Sequence, residues 1–256
     1  MSHGEDAKVP SNSRNLRSIQ PTVAWFSMAV LLTAAFVLLQ TRVDLFTQPR
    51  NLSQVITQVT RATFEIKCDS DWTGAGWGIE IDGQPHLVTA QHVIEDCQDG
   101  SPIFARNGNL TVFNVELVVA NGDYWSTSYG TTDLALLKPS RVIPTLKFQS
   151  EDVQIGQWVM LAGFPLDEDF EPLINFNEGR ITGFDMYEHL VTDAAINGGN
   201  SGGPLVNSRG EVLGTVYASD PDDEYDNLGY AQPLREHCGL IVSCQDGKPD
   251  YKLPQP

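Results

Sequence analysis

The hydrophobic rhythm of the chain changes twice. Residues 1–22 are polar and include Lys8, Arg14 and Arg17, which predicts a disordered tail. Residues 23–39, VAWFSMAVLLTAAFVLL, then run for 17 positions without a charge. That length lies at the lower edge of a helix that crosses a bilayer. A core helix would show polar positions along one face, and this run shows almost none. A cleaved signal would exit through small residues, whereas this run exits through Gln40, Thr41 and Arg42. Residues 23–41 are therefore expected to form a single transmembrane signal-anchor helix, and the protein would be secreted if that segment were cleaved. Three basic residues precede the run, and Arg42 and Arg50 follow it, which favours an inside N-terminus with the rest of the chain outside the cytoplasm.

After a linker at 42–54 the pattern becomes one of short apolar runs separated by turn residues. Leu52, Val55, Ile56 and Val59 sit at helical spacing and predict a short helix within 48–60. The runs that follow are 62–66, 76–81, 86–89, 110–119, 134–137, 158–162, 179–182, 205–206 and 212–217. They are rich in β-branched and aromatic residues, which predicts an all-β sandwich or barrel. A helical turn is expected at 90–94. From Gln245 onward the chain is polar and contains proline, so residues 245–256 read as a tail ordered only in part.

Composition sharpens this picture. The chain has 256 residues, 41% hydrophobic and 19% charged, enough for one modest domain or a pair of small fused barrels. Its net charge is −17. Residues 43–256 hold 12 Lys and Arg against 31 Asp and Glu, a net of −19, so the folded part is acidic. Phosphate binding needs a basic surface, which argues against a nucleic-acid partner. The four cysteines, Cys68, Cys97, Cys238 and Cys244, suit disulfides in an extracytoplasmic domain. Sequence alone permits three pairings. No CxxC pair and no HExxH occurs, so no metal and no cofactor is expected.

Three segments carry chemistry: LVTAQHV ending beyond His92, TDLALL around Asp133, and NGGNSGGPL around Ser201. A serine hydroxyl is a weak nucleophile and needs a base within hydrogen-bond reach. Histidine suits that role because its pKa lies near neutrality. A buried aspartate then fixes the imidazole tautomer and stabilises the cation that forms. The glycines around Ser201 let successive N–H groups aim into one concavity, where an oxyanion can be held. The order His, Asp, Ser, at separations of 41 and 68 residues, suits one barrel on each side of a cleft.

These segments closely resemble those of trypsin-like serine proteases, and especially the HtrA-like (Deg) bacterial group, over residues 55–237. The resemblance implies a chymotrypsin fold of two six-stranded antiparallel barrels, at about 55–140 and 150–237, within a protease domain at 55–244. It implies a serine endopeptidase with Ser201 as nucleophile, His92 as base and then acid, and Asp133 as the orienting carboxylate. The N–H groups of Gly199 and Ser201 would form the oxyanion hole. Substrate, a protein or peptide, would lie along the strand 213–219 by β-strand addition. The primary pocket would involve Ala195, Ile196, Tyr217, Ala218, Ser219, Gly229 and Tyr230. None of these is acidic, which disfavours Lys or Arg at the cleaved position and favours a small or medium apolar residue. The resemblance also suggests that Cys68 pairs with Cys97. Cys238 and Cys244 are close enough in sequence to close a small loop.

Two departures from the family pattern stand out. Digestive relatives carry an aspartate before the nucleophile that pairs with a newly cut N-terminus. Asn200 stands there instead, so no such activation is expected. The 26 residues after Tyr230 are too few for the PDZ domain of HtrA relatives, so none is expected. The acidic stretch 220–226 would border the cleft as a solvated loop or attract basic flanking residues of a substrate, with calcium binding a weaker reading. The other class of function open to such a chain is a catalytically idle or gated domain that binds peptides.

Overall fold

The structure, a computed structural model, describes residues 21–68, 73–97, 101–107, 111–121, 132–165, 173–219 and 228–254. The expectations for 1–20 and for the acidic stretch 220–226 lie outside these residues. Two compact units result, Met1–Arg42 and Val43–Pro256.

Helix α1 runs from Pro21 to Phe46 and contains the uncharged run. Trp25, Phe26, Val30, Leu31, Leu32 and Phe36 on it are exposed. Among the described residues no helix is long and apolar enough to cross a membrane. Helix α2, Leu52–Ala62, starts where Asn51 accepts the N–H of Gln54 through its side chain, an N-cap that satisfies one orphan donor. It buries Val55, Val59 and Ala62, close to the expected face.

Twelve strands form two closed barrels. The first contains β1 (Thr63–Lys67), β2 (Thr73–Ile81), β3 (Gln84–Thr89), β4 (Ile103–Arg106), β5 (Val112–Asn121) and β6 (Leu134–Pro139), in the order β1-β2-β3-β6-β5-β4. The second contains β7 (Trp158–Gly163), β8 (Asn175–Phe184), β9 (Leu190–Thr192), β10 (Pro204–Val206), β11 (Val212–Ser219) and β12 (Gly229–Pro233), in the order β7-β8-β9-β12-β11-β10. The two orders are the same, and the pairings along each barrel are antiparallel. Closure removes the free strand edges that would invite aggregation.

The period-2 rule explains why several strands read as unbroken apolar runs. In β6, Ala135 and Leu137 face the interior of the first barrel, while Leu134 and Leu136 face the seam between barrels. In β7, Val159 and Leu161 fill the second barrel, while Trp158, Met160 and Ala162 join the seam. Both faces are covered, so alternation between apolar and polar disappears. Trp77 lies at the centre of the seam, fully buried, and donates its Nε1–H to Thr215 Oγ1 at 3.0 Å.

The chain end packs back on the barrels as far as it is described. After β12 a short helix α3, Leu234–His237, precedes a two-stranded ladder of 244–245 with 248–249. Ser243 N–H donates to Lys252 O, Tyr251 Oη accepts the Phe148 N–H, and Leu253 N–H donates to Asp82 Oδ2. Backbone and polar side chains anchor this segment as far as Leu253, which its composition did not indicate.

Candidate active site

Register places the first two residues. β3 pairs with β6 through Thr89↔Ala135 and Val88↔Leu136. Continuing that antiparallel ladder brings the residues just after β3 opposite the residue just before β6. A 3-10 turn, Gln91–Cys97, follows β3 and carries His92. Asp133, only 4% exposed, precedes β6. Its Oδ1 accepts the His92 backbone N–H at 2.9 Å, and its Oδ2 lies 2.6 Å from His92 Nδ1. A carboxylate accepts only, so Nδ1 carries the ring proton and Nε2 is the basic atom. The Cys68–Cys97 disulfide ties the end of β1 to the end of this turn. Cys238 and Cys244 form the second disulfide.

Ser201 comes from the loop between β9 and β10, yet the first barrel holds it. The Ser201 carbonyl accepts the Ala75 N–H of β2 at 2.7 Å. Gly202 sits at φ +84, and a Cβ there would collide with Ala75 O and Thr89 Oγ1. Only glycine lets the loop press so closely against the strand that leads to His92. From the other side, Gly202 N–H donates to Val216 O of β11 at 2.7 Å. The Ser201 hydroxyl donates to Tyr217 O at 3.4 Å, a long bond that leaves the group easily redirected.

Gly199 has φ +88, and its carbonyl accepts from Phe164 N–H. Among the described residues neither Gly199 N–H nor Ser201 N–H has a hydrogen-bond partner. Two such donors two residues apart, the first of them on a left-handed glycine, are of the kind that can receive an anion. Asn200 between them is 1% exposed, and among the described residues neither amide atom of its side chain has a partner.

The expected pocket residues come together only in part. Ala218 pairs with Tyr230 and Ser219 with Gly229 across β11 and β12. Ile196 lies over Gly229 so closely that a Cβ there would overlap it. The Tyr217 and Tyr230 rings lie 6.4 Å apart. Ala195 is instead exposed, and its carbonyl accepts from Asn177 of β8. Sequence reasoning missed the neighbours behind this site. Thr132, beside Asp133, donates its hydroxyl to Glu236 of α3, and His189 contacts Tyr217. Neither pair has a motif, because each depends on the juncture of distant segments.

Twin barrels of one strand order, a hydrogen-bonded His–Asp pair at the end of the first and a glycine-bracketed serine from the second define the chymotrypsin class of fold. A sequence profile of the trypsin-like peptidase domain matches residues 74–214, and the chain belongs to that family. It is 36% identical over 146 residues to a protein of Pseudomonas putida described as "Probable periplasmic serine endoprotease DegP-like", covering 55% of this chain and 28% of that one. It is 28% identical over 206 residues to a "Serine protease HtrA-like" of Staphylococcus aureus, covering 72% of this chain and 25% of that one. The chain thus spans about a quarter of the length of these curated relatives. Its fold is similar to the crystal structure of the serine endoprotease from Yersinia pestis, with a TM-score of 0.59, 27% identity, and coverage of 74% of this chain and 64% of that one.

Proposed function

We propose that the protein is a serine endopeptidase that cleaves proteins or peptides outside the cytoplasm. Ser201 attacks the scissile carbonyl while His92 Nε2 takes its proton. Asp133 holds the imidazole and stabilises the imidazolium. The N–H groups of Gly199 and Ser201 receive the negative oxygen of the tetrahedral intermediate. Protonated His92 then gives its proton to the leaving amine, and water releases the acyl group by the same steps. The observation that carries this reading is the 2.6 Å contact of His92 Nδ1 with Asp133, beside a serine loop with two N–H donors that have no partner among the described residues.

Substrate backbone would pair along β11, and Ile196 over Gly229 would leave a shallow apolar pocket. A small or medium apolar residue would then precede the cut. Residues 23–41 would anchor the protein in a membrane, a reading supported by their uncharged run and by the exposed apolar side chains of α1. Two disulfides and the relatives' printed descriptions support a domain outside the cytoplasm. Digestion of a mixed peptide library tests the pocket: cuts after Val, Ala or similar residues are expected, and cuts mainly after Lys or Arg would refute it.

A further inference from the structure

Beside the site lies a hydrogen-bonded chain that the proposed steps do not use. Asp185 follows β8. Its Oδ1 accepts the backbone N–H groups of Tyr187 at 2.9 Å and His189 at 2.8 Å, which closes the turn into β9. Glu188 in that turn adopts a left-handed φ of 64°. Asp185 Oδ2 lies 3.0 Å from His189 Nδ1, so that nitrogen carries the ring proton. The same Nδ1 lies 2.9 Å from Tyr217 Oη. One N–H is therefore shared between a carboxylate and a phenol oxygen, and Tyr217 is an acceptor. The His189 and Tyr217 rings meet edge to face, 5.3 Å apart. His189 is only 3% exposed, so its N–H would be costly to leave without these partners.

Tyr217 is also the residue that the ladder does not hold. Val216 pairs with Ala231 and Ala218 with Tyr230, so Tyr217 is the extra residue of a β-bulge in β11. Bulges re-aim the chain locally and leave the extra residue outside the ladder, so its side-chain contacts gain weight in placing it. Its carbonyl is the acceptor of the Ser201 hydroxyl. Burial and the nearby Asp185 push the phenol well above its ordinary pKa, so the ring stays a neutral partner.

We propose that Tyr217 is a positioning residue for the nucleophile: the Asp185–His189 pair clamps its ring, and the clamped ring fixes the carbonyl that holds the Ser201 hydroxyl at rest, in the place from which it turns to His92. This rests on the reading of Ser201 as the nucleophile. The test uses the full chain and a fluorogenic peptide ending in valine before the cut, with the variants Tyr217→Phe, His189→Leu and His189→Asn. The asparagine amide nitrogen can stand where Nδ1 stands. Tyr217→Phe and His189→Leu are expected to lower kcat about tenfold with KM within about twofold, the pattern of an interaction that matters after substrate is bound. His189→Asn should recover most of that loss. Active wild type with kcat of Tyr217→Phe unchanged, a change confined to KM, or His189→Asn no better than His189→Leu would overturn the proposal alone. Wild type that cleaves neither this peptide nor casein would overturn the peptidase reading and this proposal together. If His189→Leu fails to fold, Tyr217→Phe and His189→Asn still decide.

Discussion

The two barrels share one strand order and supply different kinds of parts. The first delivers side chains. His92 and Asp133 sit at the ends of β3 and β6, strands buried on both faces, and their placement follows from ladder register. The second delivers one side chain, Ser201, together with the backbone around it. Its serine loop leaves the ladder, takes positive φ at Gly199 and Gly202, and keeps two N–H groups without a partner among the described residues. An imidazole must be held at a fixed angle, and a paired strand end does that well. An oxyanion needs free N–H groups, and a strand would already have committed them. The same topology serves both needs because the site is placed at the seam, where each barrel contributes what its local structure allows.

The largest expected effect comes from breaking the first barrel's part. Asp133→Asn should lower kcat by about 10⁴-fold, because the amide would offer the ring the wrong tautomer. Its thermal midpoint should stay close to wild type, which separates lost chemistry from lost fold. Kinetics with a short peptide, beside a melting curve, checks both halves. A fall of less than about tenfold would mean that Asp133 does not orient His92.

Breaking the seam itself comes next. Trp77→Ala removes a fully buried indole and its bond to Thr215. Urea unfolding should show a loss of about 3–5 kcal/mol, from lost transfer and the cavity left behind. A loss under about 1 kcal/mol would mean that the barrels do not depend on this contact.

A smaller effect sharpens the comparison through pH. His237 lies fully buried beneath Trp77 and Phe148, with Nδ1 donating to Pro233 O and Nε2 accepting from Thr215. Burial holds its pKa down at about 4, below the ordinary 6.5. The unfolded chain therefore binds a proton that the folded chain refuses between those values. Stability from this group is complete above pH 6.5 and is lost as pH falls toward 4. The loss amounts to roughly 3 kcal/mol at most. Urea midpoints from pH 7 to pH 4 should fall less steeply in His237→Phe than in wild type. Equal slopes would show that His237 is not the group responsible.

Much of the candidate site was legible in the sequence because the proposed chemistry demands particular residues there. Ser201 needs its glycines, and TDLALL announces both the aspartate and a strand buried on both sides. Other parts left little local trace. β9 is three residues long, and β12, with Gly229, Gln232 and Pro233, lacks a β-branched pattern. The packed chain end relies on backbone bonds such as Ser243 N–H to Lys252 O, which composition does not encode. Tyr217 could be named as a neighbour of Ser201. Its partner His189 could not, because the Asp185 turn that presents it depends on one left-handed residue, Glu188.

The central claim is that Ser201 is a working nucleophile supplied by the second barrel and activated by the first. Its most direct test is incubation of the protein with casein and a fluorophosphonate probe, beside Ser201→Ala. The account predicts casein cleavage and covalent labelling in wild type, with both abolished in the variant. Cleavage that persists in Ser201→Ala, or a folded wild type that neither labels nor cleaves, would contradict it.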